Sequence, residues 1–68
     1  MKLIEDVPQL AALVTLVRGE FGEMPDMALS VPQACVLWNV DRPLITRALE
    51  ALVAEGFLRR RQGRYVRA

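Results

Sequence analysis

The sequence predicts a mainly α fold with a small β-hairpin: three helices followed by a two-stranded ribbon. Three observations carry that reading. Asp6-Val7-Pro8-Gln9 and Ser30-Val31-Pro32-Gln33 repeat one helix-start device, a capping side chain followed by Pro in the first turn and Gln in capping-box position. Asp41 to Gly56 carries an apolar stripe at helical spacing between a capping residue and a terminating glycine. Phe57 to Arg67 sets β-forming residues on both sides of Gln62 and Gly63.

At 68 residues the chain makes one domain, of a size at which about 60% of the unfolded surface is buried. Hydrophobic residues supply 53% of it and charged residues 25%, the balance of a globular and not a disordered chain. So high an apolar share on so small a body leaves some of it outside, which predicts a self-association surface. The net charge of +1 hides a polarity along the chain. Residues 1 to 38 set two cations against five carboxylates, a net of −3, whereas residues 39 to 68 set seven arginines against three carboxylates, a net of +4. One end is therefore expected to face a polyanion and the other solvent or a partner; solvated arginines at a domain edge are the plainer alternative.

Taken in order, Leu3 and Ile4 form a strand end or cover the core, and Asp6 then caps a first helix over about 7 to 20. Leu10, Leu13, Val14, Val17 and Phe21 share one stripe of it; Ala11, Ala12, Thr15 and Leu16 make the other side nearly as apolar, the pattern of a helix covered on two faces. Gly22 to Leu29 reads as a loop, with Met27 to Leu29 placed to make a short strand. The second helix spans about 31 to 38, with Val31, Ala34, Cys35 and Trp38 on one face and Val36 and Leu37 off it. Asn39 suits a left-handed turn residue, and Val40 plugs the space beyond. The third helix spans about 42 to 55, burying Ile45, Leu49, Leu52 and Val53 and exposing Arg42, Pro43, Thr46 and Arg47. Glu50 follows one turn later, at pairing distance from Thr46 or Arg47. The hairpin closes the chain over about 57 to 67, basic on at least one side.

The run Asn39 to Arg67, NVDRPLITRALEALVAEGFLRRRQGRYVR, with SVPQACVLW before it, resembles the winged helix-turn-helix of bacterial transcription regulators, including the multiple-antibiotic-resistance and arsenic-repressor types. The resemblance implies a three-helix winged helix-turn-helix whose third helix is the recognition helix and whose hairpin is the wing. It further implies that double-stranded DNA is the partner, with Arg42, Pro43, Thr46 and Arg47 facing the major groove and Arg60, Arg61 and Arg64 holding phosphates. Arginine is suited to both tasks, as a bidentate reader of guanine or as a phosphate contact. Pro43 and Leu44 stand where the family commonly has polar groove-reading residues, and the family's long terminal dimerisation helices have no counterpart here.

Catalysis finds little material in the sequence. There is no histidine, and the single cysteine, Cys35, sits on an apolar helical stripe, so neither a nucleophile-base pair nor a zinc site is expected; no cofactor and no enzymatic activity are predicted. Cys35 reads as a small core residue, with a reactive thiol as the alternative. Trp38 likewise reads as core filling before an exposed anchor. No signal peptide is recognised, and Val7 to Val17 is uncharged but too short for a bilayer that needs about 20 residues, so a cytoplasmic protein without a membrane partner is expected.

The functional expectation is a small DNA-binding protein, a bacterial transcriptional regulator that acts as a homodimer through Ala12, Thr15 and Leu16 of the first helix with Leu3 and Ile4. The alternative is a winged helix used for protein interaction, docking through the apolar first helix or through Val36, Leu37 and Leu44.

Overall fold

The computed structural model describes residues 3–68, with side chains from Pro8 onward. It has three helices, α1 (Leu3–Glu23), α2 (Val31–Trp38) and α3 (Arg42–Ala54), followed by an antiparallel hairpin of β1 (Leu58–Arg61) and β2 (Arg64–Arg67). The fold is mainly helical and arranged as a winged helix.

The first helix differs from the sequence expectation at both ends. It begins at Leu3, so Leu3 and Ile4 are helical and not a strand end, and Asp6 lies inside the helix instead of capping it. Pro8 is consequently interior. Its ring lacks a donor and omits one bond of the ladder, a local loss that the flanking residues, none of them Gly or Pro, carry through. At the other end neither Gly19 nor Gly22 stops the helix. The stop is Pro25, which disfavours helical backbone at Met24. Met24 and Met27 then close a turn, Met27 N donating to Met24 O at 3.0 Å, with Pro25 at the position its fixed φ suits. The side chains of Leu3, Ile4 and Asp6 lie outside the described residues.

The second start is built as the sequence reads. Gln33 N donates to Ser30 Oγ at 3.3 Å and Ser30 N donates to Gln33 Oε1 at 2.9 Å, a complete capping box. Asn39 closes α2 in the left-handed region at φ 53 and ψ 54, and Val40 N returns to Cys35 O at 3.2 Å. Asp41 occupies the N-cap of α3, but its side chain makes no capping hydrogen bond, contrary to the expectation from its type; its backbone carbonyl accepts from Ile45 N instead. Pro43 in the first turn removes one donor that a cap would otherwise serve. Gly56, at φ 82, ends α3 in a Schellman arrangement, with Gly56 N donating to Val53 O and Phe57 N to Leu52 O.

The core gathers one face from every element. Leu13, Val17 and Phe21 of α1, Ala34 of α2, Ile45, Ala48, Leu49 and Leu52 of α3, Leu58 of β1 and Tyr65 of β2 are buried. Val31, Cys35, Trp38, Val40 and Val53 pack against that cluster half-buried, so Cys35 and Trp38 both contribute to the core.

The hairpin register is Leu58 with Arg67, Arg59 with Val66, Arg60 with Tyr65 and Arg61 with Arg64. Gln62 and Gly63 form the two-residue turn with φ 53 and 79, both positive as a type I′ turn requires. Leu29 adds a third, single-residue rung, pairing antiparallel with Tyr65.

Candidate nucleic-acid interface

The exposed side of α3 begins with Arg42 and Pro43 and continues through Arg47, with Thr46 half-buried beside it. Helical geometry puts Pro43, Thr46, Arg47 and Glu50 on one face, opposite the buried Ile45, Ala48 and Leu52. The structure thus puts three of the four α3 residues expected to read a groove, Pro43, Thr46 and Arg47, on one face, with Arg42 exposed at the start of the helix.

The hairpin arginines do not act as one group. Alternation along paired strands sends Leu58, Arg60, Tyr65 and Arg67 to one face and Arg59, Arg61, Arg64 and Val66 to the other. Leu58 and Tyr65 are buried, which makes theirs the inner face. Arg60 is therefore separated from Arg61 and Arg64, with which the sequence grouped it.

Arg60 lies along α3. Its Nη1 donates to Glu50 Oε1, and the Tyr65 hydroxyl donates to Glu50 Oε2 at 2.5 Å. The hydrogen bond from Arg60, with that from Tyr65 second, holds the Glu50 carboxyl below its ordinary range, and Glu50 raises the Arg60 guanidinium in return. Burial first, and then the neighbouring carboxylate, push the Tyr65 hydroxyl upward. Arg67 stacks over the Phe57 ring with Cζ at 4.2 Å from its centroid. Arg18 approaches the same ring at 5.5 Å and ion-pairs with Glu55 at 2.7 Å. The inner arginines thus fasten the wing and α1 to the end of α3.

The outer arginines are placed differently. Arg59, Arg61 and Arg64 are exposed, and their side chains, like that of Arg42, make no hydrogen bond or ion pair among the described residues. Arg61 and Arg64 face each other directly across the turn, where like charges repel. They line a cavity of about 480 Å³ with Asp26, Ala28, Gln62 and Val66.

Two apolar surfaces complete the picture. Leu16, 44% exposed, lies with Gln9, Ala12, Leu13, Val40 and Leu44 along a groove between α1 and α3. Val36, 83% exposed, and Leu37, 53% exposed, line a second with Leu29, Pro32 and Gln33. Thr15 is exposed beside the first groove, its hydroxyl donating to Ala11 O at 3.1 Å.

Sequence reasoning missed the Glu50, Arg60 and Tyr65 cluster and the exposed Arg59. The signal was present: a two-residue turn at Gln62 and Gly63 fixes Arg60 opposite Tyr65. Among the described residues no three His, Cys, Asp or Glu side chains come together where a metal ion could sit, and no helix is long and apolar enough to cross a membrane. Comparison with protein-family models, with curated proteins and with solved structures gave no match to this chain.

Proposed function

We propose that the protein is a small cytoplasmic DNA-binding protein that regulates transcription, presenting the N-terminal half of α3 to the major groove and the outer face of the hairpin to the phosphate backbone. The observation that carries this reading is a set of arginine side chains with no hydrogen bond or ion pair among the described residues, Arg42 on α3 and Arg59, Arg61 and Arg64 on the wing, on a chain half whose net charge is +4. Guanidiniums with no carboxylate partner among the described residues, two of them opposed across a turn, lower their mutual repulsion by meeting phosphates. Arg42, Pro43, Thr46 and Arg47 would line the groove, and Arg61 and Arg64 would hold the backbone. A pair of copies joined along α1 through Ala12, Thr15 and Leu16 would present two such surfaces, and two linked modules gain affinity that one lacks. Leu3 and Ile4, expected in that contact, have side chains outside the described residues.

Fluorescence anisotropy of a labelled random duplex tests the reading. Four phosphate contacts per subunit give a salt slope of about −3.6, so binding seen at roughly 50 mM salt falls steeply by roughly 200 mM. Replacing Arg47 with Ala should weaken binding, and replacing Arg61 or Arg64 with Ala should flatten that slope by about 0.9. No binding at low salt would end the DNA reading.

The exposure of Val36 and Leu37 favours a second reading, a winged helix that binds protein through α2 and Leu44. DNA-facing helices present polar side chains to the backbone, and this one presents two aliphatic ones. Replacing Val36 and Leu37 with Ser would then abolish partner binding and leave duplex binding unchanged.

A further inference from the structure

Glu50 is a carboxylate on the same face of α3 as Pro43, Thr46 and Arg47, just past the half of the helix assigned to DNA. It follows Thr46 by one helical turn and Arg47 by three residues. Of the other carboxylates, Asp41 sits at the N-cap of α3, Glu55 lies beyond its last turn in a pair with Arg18, and Asp26 lines the cavity beside Arg61 and Arg64. Both oxygens of Glu50 are occupied by the wing, Oε1 by the Arg60 guanidinium and Oε2 by the Tyr65 hydroxyl. A guanidinium and a phenol converging on two oxygens of one anion is also how a phosphate is held. Tyr65 is 7% exposed and fixed by backbone bonds to Leu29, so its hydroxyl keeps the carboxylate from swinging away.

We propose that Glu50 restrains nucleic-acid binding by occupying Arg60 in place of a phosphate, so that this wing arginine stays out of the contact with DNA. The inference rests on the DNA reading above. The strand register sends Arg60 to the inner face, where its side chain has an internal partner, whereas the side chains of Arg61 and Arg64 on the outer face have none among the described residues. The pair is accessible, with side-chain exposures of 59% for Arg60 and 41% for Glu50. Water and salt therefore screen it, and removing the charge of Glu50 is enough to release Arg60.

The test is the salt dependence of random-duplex binding by wild type, Glu50→Gln, Arg60→Ala and the double variant, read by anisotropy. Gln keeps an oxygen for the Tyr65 hydroxyl and drops the charge. Glu50→Gln should steepen the slope by about 0.9, one added phosphate contact, so that its advantage over wild type is about 3.5-fold larger at roughly 50 mM than at roughly 200 mM salt. Arg60→Ala alone should leave the wild-type slope unchanged, and the double variant should return to it. Binding by Glu50→Gln where wild type shows none would support the restraint in its strongest form.

An unchanged Glu50→Gln slope beside a binding wild type overturns this proposal alone. So does a slope already flattened by Arg60→Ala in the wild-type background, or a gain that survives in the double variant, which would be simple loss of repulsion. No binding by any of the four proteins at low salt overturns the DNA reading and this proposal together.

Discussion

The Tyr65 hydroxyl reaches Glu50 Oε2 at 2.5 Å, so a residue at the centre of β2 is tied directly to the exposed side of α3. Its backbone meanwhile exchanges two bonds with Leu29, Leu29 N to Tyr65 O at 3.1 Å and Tyr65 N to Leu29 O at 2.7 Å. Leu29 immediately precedes the Ser30 cap of α2. One tyrosine thus sets the angle of the wing against both helices of the helix-turn-helix.

That tie gives a pH dependence with a definite sign. The folded state holds the Glu50 carboxyl below its ordinary value of 4.5, chiefly through Arg60. Its contribution to stability is present above that value and is lost as pH falls through the lower, folded one. Thermal melts of wild type and Glu50→Gln should differ near neutral pH, and the gap should close as the pH falls below 4.5 and through the lowered value of the folded state. A gap that does not change with pH would mean that the ion pair contributes nothing.

The two helix caps should respond unequally to the same change. Ser30→Ala removes the side-chain acceptor of Gln33 N from a working capping box and should cost about 1 kcal/mol. Asp41→Ala removes a side chain with no capping bond and should cost only a few tenths, within the range of ordinary surface changes of about 0.5 kcal/mol. Urea unfolding of the two variants measures both, and equal losses would contradict the difference in geometry.

Gln62 holds φ 53, a left-handed conformation that a residue of its type adopts at a cost. Gln62→Asn should stabilise the protein by a few tenths of a kcal/mol, since Asn-Gly is the favoured pair for this turn. A lower urea midpoint would show that the Gln62 side chain has a role beyond the turn.

Leu16→Glu tests self-association. The side chain is 44% exposed, so the monomer fold should tolerate a carboxylate there. Sedimentation should show a wild-type dimer and a monomeric variant; a wild-type monomer at all concentrations would remove α1 as the contact.

Much of the fold was legible in the sequence because local chemistry decides it. Ser30 with Gln33 announced a helix start, Gly56 its end and Gln62-Gly63 the turn, and each of these acts within a few residues of itself. The failures were also local signals, but weaker than their surroundings. Asp6 looked like a cap, yet nothing before it breaks a helix, so α1 continues back to Leu3. Gly22 looked like a loop, yet Pro25 is the residue that stops the helix. Asp41 has the right type and position for a cap and still makes no bond. The candidate site divides the same way. Helical periodicity placed Pro43, Thr46 and Arg47 on one face, whereas the split of Arg60 from Arg61 and Arg64 depends on register, which reverses the face of every side chain when it shifts by one.

The most direct measurement is the amide spectrum of the ¹⁵N-labelled protein titrated with a short random duplex in low salt. The account predicts shifts that cluster at Arg42 to Arg47 and Arg59 to Arg64, with Leu16, Val36 and Leu37 unmoved. Shifts confined to Val36 and Leu37, or none at all, would contradict it.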